Sequence, residues 1–181
     1  VHALTGVFLS DEINFGKLFS ASRELRNVLQ YLSGGDYNSR EIRKEVYGSN
    51  GKATSPFDAA LCLDDVVRTR QFMRGVYKAI GDKLDAGKEV VNVLYAGTGP
   101  FASLVLPALL RYPKERVHYT LIEINPLTAR LLRQVVDQLG LNEHTIDIQE
   151  CDASSMQLNS GSLPDVVVSE TMQNLLAKED R

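Results

Sequence analysis

The run VVNVLYA at residues 90–96 constrains the fold more than any other stretch, because nearly every position is apolar and two glycines, Gly97 and Gly99, follow it. A strand that is apolar on both faces is typical of the interior of a parallel sheet. Glycines after such a strand let backbone amides approach a ligand without a Cβ in the way. The stretch predicts a strand, a tight turn and a helix from Pro100, whose N-terminus offers a positive dipole end.

Further strands and helices alternate after this point. A helix is predicted at residues 126–141, with Pro126 in its first turn and Gly140 near its end. This alternation indicates βαβ units, so we expect an α/β fold, a Rossmann-like doubly wound and mostly parallel sheet. The further strands are predicted at residues 117–124, 145–152 and 164–170.

The N-terminal half reads differently. Residues 1–85 are predicted to form a helical segment, and residues 86–181 a Rossmann-like core. The chain begins at Val1 and stops soon after the fourth predicted strand, so we expect a piece of a longer protein whose core is truncated after strand 4. Helices are predicted at residues 22–32, 39–48 and 57–84, the last with an interruption, and a loop at residues 48–56.

Composition excludes several classes of function. A formal charge of −3 and a pI near 5.6 argue against a chain that binds nucleic acid through bulk charge. No apolar run reaches the ~18 residues of a membrane span, and no signal peptide is visible. The two cysteines, Cys62 and Cys151, are far apart and belong to no Cys/His cluster. We therefore expect a cytoplasmic protein with reduced thiols, without membrane attachment and without a metal site.

Polar residues stand at the ends of successive predicted strands, where ligands bind in doubly wound sheets. Glu123 follows Gly99 by 24 residues, close to the spacing at which an acid accepts hydrogen bonds from ribose hydroxyls. Asp152 could accept a hydrogen bond from an adenine amino group, and Glu170 ends the fourth strand. The turn departs from G-x-G-x-x-G, which disfavours a pyrophosphate cofactor such as NAD. Together these residues predict a bound nucleoside.

Several stretches resemble motifs of the class I S-adenosylmethionine-dependent methyltransferases, and most closely those of the protein arginine methyltransferases that make symmetric dimethylarginine. The resemblance covers residues 63–179. The stretch LDDVVRT at residues 63–69 is similar to the helix whose arginine, here Arg68, reaches the cofactor carboxylate. The other stretches are YAGTGPF (95–101), IEINP (122–126), CDAS (151–154) and SETMQNLLAKE (169–179).

The resemblance implies S-adenosyl-L-methionine as cofactor, S-adenosyl-L-homocysteine as product and transfer of a methyl group to a guanidino nitrogen of a protein arginine. Glu170 and Glu179 would be the catalytic pair that grips the guanidinium. The family generally works as dimers or larger assemblies, which implies a homo-oligomer. The cofactor-binding residues implied are Arg68, Tyr95, Ala96, Gly97, Thr98, Gly99, Pro100, Glu123, Ile124, Asn125, Cys151, Asp152, Ala153 and Glu170.

Other interpretations stay open. Tyr95 stands where the family has a glycine and is expected to crowd the methionine end of the pocket, which would suit a non-catalytic S-adenosylmethionine-binding or interaction module. The methyl acceptor could instead be a small molecule, and the fold also hosts other nucleoside-binding enzymes such as dehydrogenases. Asp152 as a turn or cap residue, and Arg68 in a surface ion pair, are the structural alternatives to their binding roles.

Overall fold

A computed structural model of the chain describes residues 1–48, 51–157 and 163–171. The helices are α1 (His2–Leu9), α2 (Phe15–Ser33), α3 (Pro56–Leu61), α4 (Val66–Asp85), α5 (Leu106–Leu109) and α6 (Pro126–Gln138). The strands are β1 (Val46–Gly48), β2 (Gly51–Ala53), β3 (Val91–Ala96), β4 (Val117–Glu123), β5 (Ile146–Glu150) and β6 (Val166–Ser169). Short 3-10 helices lie at Glu41–Arg43, Cys62–Asp64 and Ala153–Ser155.

The strands β3 to β6 form one sheet in the order β5-β4-β3-β6, and all neighbours in it are parallel. The chain steps from β3 to β4 to β5 in one direction and then crosses back to place β6 on the other side of β3. This is an α/β, Rossmann-like sheet, and the predicted fold class is confirmed. A reversal of strand order opens a crevice at the carboxyl ends of the strands, here those of β3 and its two neighbours.

The middle of the sheet is its most buried part. Val91 and Leu121, on the central strands β3 and β4, are fully buried, whereas the edge strand β5 is at most half-buried. Side chains from the surrounding helices, among them Ile80 of α4, Leu109 of α5 and Leu132 of α6, pack in the same apolar cluster. Burial of this apolar surface is the main force that holds helices and sheet together.

The N-terminal helices pack on the rest through a second apolar cluster, which joins Leu29 of α2 to Phe101 and Val135. The guanidinium of Arg111 adds a polar link, because it donates a 2.9 Å hydrogen bond to the hydroxyl of Thr5 in α1. Helices and a hairpin thus precede the sheet, and α1 and α2 share an apolar cluster with α5 and α6. The division of the chain into two parts at residue 85 stays a prediction.

The prediction of a helix at residues 39–48 is wrong. Only one 3-10 turn forms there, followed by β1. This strand pairs antiparallel with β2, which lies in the stretch predicted to be a loop. Tyr47, an aromatic residue that favours strands, lies opposite Lys52, and Lys52 forms an ion pair with Glu45. These cross-strand contacts outweigh the helical pattern of the isolated segment.

The prediction of a helix that begins at Pro100 is also wrong. Turns occupy residues 99–105, and the short helix α5 begins only at Leu106. Ala102 has φ of +44°, a left-handed conformation that interrupts a right-handed helix. Pro107 lacks an N–H and is accommodated in the first turn of α5 rather than inside a longer helix. No helix dipole therefore points at the cleft from Pro100.

The interruption predicted in the long N-terminal helix is present, because a 3-10 turn separates α3 from α4. Asp65 is the N-cap of α4, and its side chain accepts a 3.2 Å hydrogen bond from the amide of Arg68. This cap fixes the first turn of α4 at the edge of the crevice. Among the helices in the described ranges, none combines the length and apolar character needed to cross a membrane.

Candidate functional site

A cleft of about 700 Å³ lies at the carboxyl ends of β3, β4, β5 and β6. It is where the sequence places its candidate site, since most of the predicted cofactor-binding residues line it. Those residues are Arg68, Ala96, Gly97, Thr98, Gly99, Glu123, Ile124, Cys151, Asp152, Ala153 and Glu170.

The turn after β3 is built around its two glycines, which have φ of +75° at Gly97 and +61° at Gly99. A Cβ at Gly97 would lie only 2.8 Å from the carbonyl oxygen of Glu170, so a side chain there would collide with the end of β6. Gly97 is thus required by the packing of the protein itself, before any ligand is considered.

The amides of this turn point into the protein. Those of Gly97 and Thr98 donate to the carbonyl of Ile122, at 2.9 and 3.3 Å. The amide of Gly99 donates to the Glu123 carboxylate at 3.0 Å. The expected approach of free backbone amides to a ligand is therefore not what the turn provides. Both glycines nevertheless border the cleft.

Glu123, the last residue of β4, is only 6% exposed and still borders the cleft. Burial raises its pKa, against the effect of the amides of Asn125, Gly99 and Ile124. One oxygen accepts from Gly99 and the other from Asn125, at 2.9 Å. Each oxygen of a carboxylate can accept a further hydrogen bond, so Glu123 can still bind ligand hydroxyls.

Glu170, just beyond β6, is held by two side chains. Its Oε1 accepts a 2.5 Å hydrogen bond from Nη2 of Arg68, in an ion pair. Its Oε2 accepts a hydrogen bond from the hydroxyl of Tyr95. Burial, and then the charge of Glu170, raise the pKa of Tyr95 well above its ordinary value, so this phenol stays a proton donor. The carboxylate of Glu170 and the guanidinium of Arg68 therefore meet at one end of the cleft, and the buried phenol of Tyr95 holds the carboxylate from inside the protein.

Three residues predicted to bind the cofactor do not line the cleft. Tyr95 is fully buried, and only its neighbour Ala96 borders the cleft. Pro100 is buried in the turn. Asn125 caps α6, where its side-chain oxygen accepts hydrogen bonds from the amides of Leu127 and Thr128. Glu179, predicted to be catalytic, lies outside the described residues.

Asp152 is a capping residue, as the structural alternative predicts, and its binding role stays a prediction. Its side chain accepts hydrogen bonds from the amide and hydroxyl of Ser154, at 2.9 and 2.7 Å, and so caps the 3-10 helix Ala153–Ser155. It also borders the cleft, beside Cys151. The capping bonds fix this side chain at the end of β5.

One wall of the cleft consists of residues that no sequence pattern indicates. Lys52, Ala53 and Thr54, at the end of the β1–β2 hairpin, border it, as does Cys62 from the turn between α3 and α4. The hairpin strands have three residues each, too few for a periodic pattern. Among the described residues, no three His, Cys, Asp or Glu side chains are grouped so that they could hold a metal ion.

Comparisons with known proteins do not assign the chain to a family. No protein-family profile matches it, and neither does any curated protein. A solved structure of MtNAS, a nicotianamine synthase, in complex with MTA and tNA is 16% identical, with a TM-score of 0.38 over 88% of this chain and 52% of that one. A mutant of MtNAS is also 16% identical, with a TM-score of 0.40 over 92% and 54%. This chain thus spans about half of each MtNAS chain, and so low a similarity carries no inference about ligands.

Proposed function

We propose that this chain binds S-adenosyl-L-methionine in the cleft and transfers its methyl group to a guanidino nitrogen of arginine in a protein. The observation that carries the proposal is the convergence of three carboxylates, those of Glu123, Asp152 and Glu170, on one cleft beside a glycine turn. They stand at the carboxyl ends of three different strands, so the topology of the sheet brings them together. Parallel sheets bind nucleosides at this edge.

The shape of the turn favours a nucleoside without a pyrophosphate. Dinucleotide sites bind phosphate oxygens with free amides at the N-terminus of a helix. Here the amides of residues 97–99 are used within the protein, and the next helix begins only at Leu106. The volume of about 700 Å³ is within the usual range for a site that holds a whole small ligand.

Each residue at the cleft then has a role that its position supports. Glu123 accepts hydrogen bonds from the ribose hydroxyls, and Asp152 from the adenine amino group. The surface of Gly97 and Gly99 lies along the ligand, and Arg68 binds the amino-acid carboxylate. The cofactor supplies a methyl group on a sulfonium, which makes it susceptible to in-line attack. The protein mainly has to position the acceptor nitrogen.

Glu170 is the residue proposed to bind the acceptor. A carboxylate can hold a planar guanidinium through two parallel hydrogen bonds and stabilise charge as the nitrogen attacks. The arginine acceptor is supported by the resemblance of residues 169–179 to the double-glutamate loop of the arginine methyltransferases. Glu179 would supply the second carboxylate.

Calorimetric titration tests the cofactor. We expect the chain to bind S-adenosylmethionine and S-adenosylhomocysteine, but not NAD. Glu123→Ala should weaken binding of both by ~1–3 kcal/mol, since charge-assisted hydrogen bonds are lost. Glu150→Ala is the matched control, because Glu150 lies opposite Glu123 in the neighbouring strand and does not border the cleft. Unchanged affinity in Glu123→Ala would remove its ribose role, and tight NAD binding would indicate a dehydrogenase.

The acceptor is tested with labelled S-adenosylmethionine and an arginine-containing peptide, against the same peptide with lysine in place of arginine. Methyl groups should appear on the arginine peptide only. Glu170→Gln should lower transfer by about 10- to 1000-fold, because a neutral amide no longer stabilises the cationic acceptor in the transition state. Equal transfer by this variant would exclude Glu170 as a catalytic residue.

A further inference from the structure

Glu170 is already bound to a guanidinium of its own chain. Arg68 holds one carboxylate oxygen at 2.5 Å, and the hydroxyl of Tyr95 holds the other. A cationic acceptor needs the same carboxylate. It therefore competes with Arg68, whose charge and planar shape are those of an arginine substrate.

The two side chains that bind Glu170 differ in how easily each can move away from its carboxylate. Tyr95 is fully buried in the core cluster of the sheet. The side chain of Arg68 is 36% exposed, lies in the first turn of α4 and borders the cleft near the ring of Phe72. A ligand in the cleft can draw Arg68 away, whereas Tyr95 stays and continues to hold Glu170.

We propose that Arg68 is shared between Glu170 and the carboxylate of the cofactor, so that binding of the cofactor frees Glu170 for the acceptor. The inference rests on the function proposed above. One ion pair is exchanged for another, and no covalent bond changes. The exchange predicts an order of binding, in which the acceptor gains its carboxylate only after the cofactor carboxylate has taken over Arg68.

The exchange has a consequence for cofactor affinity in the absence of any acceptor. A ligand with a carboxylate must first break the Arg68–Glu170 pair, so Glu170 opposes its binding. Neutralising Glu170 should therefore increase the affinity of the chain for that ligand. We expect a gain of about 3- to 30-fold, the range for a charge-assisted pair reduced for partial exposure to solvent. A nucleoside without the carboxylate should be unaffected.

Calorimetry with two ligands tests the exchange. S-adenosylhomocysteine carries the amino-acid carboxylate, and 5′-methylthioadenosine has the same nucleoside without it. We expect Glu170→Gln to bind the first about 3- to 30-fold more tightly than the unaltered chain and the second equally well. Unchanged affinity for 5′-methylthioadenosine also shows that the variant is folded. Asp64→Asn, which removes the carboxylate from the Arg26–Asp64 ion pair away from the cleft, should change neither affinity.

The outcomes separate the exchange from the proposed function. If the unaltered chain binds both ligands and Glu170→Gln binds S-adenosylhomocysteine no more tightly, Arg68 is not shared, and the exchange alone is overturned. Equal changes for both ligands would also overturn it, because the effect would not depend on the carboxylate. If the unaltered chain binds neither ligand, the proposed function fails and the exchange fails with it.

Discussion

Replacing Gly97 with alanine probes how the turn after β3 is built. Two costs add. At φ of +75° a residue with a Cβ costs ~1–2 kcal/mol relative to glycine. The new Cβ would also lie 2.8 Å from the backbone oxygen of Glu170, and relieving this overlap by moving the end of β6 costs a further ~1–3 kcal/mol. We expect the free energy of unfolding to fall by roughly 2–5 kcal/mol.

Two other glycines separate these costs. Gly140 has φ of +68° and no atom within 4 Å of its would-be Cβ, and Gly99 has φ of +61° with only ordinary contact, at 3.5 Å to Ala59. Gly140→Ala and Gly99→Ala should each lose only ~1–2 kcal/mol. Urea denaturation followed by far-UV circular dichroism measures all three variants. Overlap with β6 should make the loss in Gly97→Ala larger than the loss in Gly140→Ala by the overpacking cost of ~1–3 kcal/mol. If the two losses agree within about 0.5 kcal/mol, the close packing of β6 on the turn is refuted.

Two further predictions concern stability. Asn125→Ala removes the side chain that caps α6, and should lower the free energy of unfolding by ~1 kcal/mol in urea denaturation, whereas an unchanged value would exclude the cap. Hydrogen bonds from the amide of Asn92 and then from Lys88 lower the pKa of Asp165 below its ordinary value of 3.8. The Asp165 carboxylate therefore stabilises the fold above pH 3.8, and this stabilisation is lost as the pH falls through the lowered pKa. Asp165→Asn should therefore be less stable than the unaltered chain at pH 7, with a difference that shrinks below about pH 4, and a difference that grows on acidification would contradict this sign.

The sheet could be predicted because its strands carry strong local signals. The run that became β3 is apolar at every position except Asn92, a composition typical of a buried strand. The hairpin could not be predicted in the same way. Its strands have three residues each, and they are stabilised by pairing across the turn, for example Tyr47 with Lys52. The helix expected at Pro100 failed because the positive φ of Ala102 depends on packing in the folded chain.

The site, like the fold, could be predicted from the sequence only in part. Residues at strand ends meet in one cleft because parallel strands share an edge, so Glu123, Asp152 and Glu170 could be expected together. Their partners could not. The hydrogen bond from Tyr95 to Glu170 joins residues 75 apart in sequence, and the Arg68–Glu170 pair joins residues 102 apart. Neither hydrophobic periodicity nor the spacing of motifs predicts contacts between residues so far apart in sequence.

The central claim is that the cleft binds the nucleoside of S-adenosylmethionine through Glu123. A crystal structure of the chain with S-adenosylhomocysteine tests it most directly. We expect the ribose hydroxyls within about 2.5–3.0 Å of the Glu123 carboxylate oxygens, which is hydrogen-bonding distance. A ligand bound elsewhere, or in the cleft with its ribose away from Glu123, would contradict the claim.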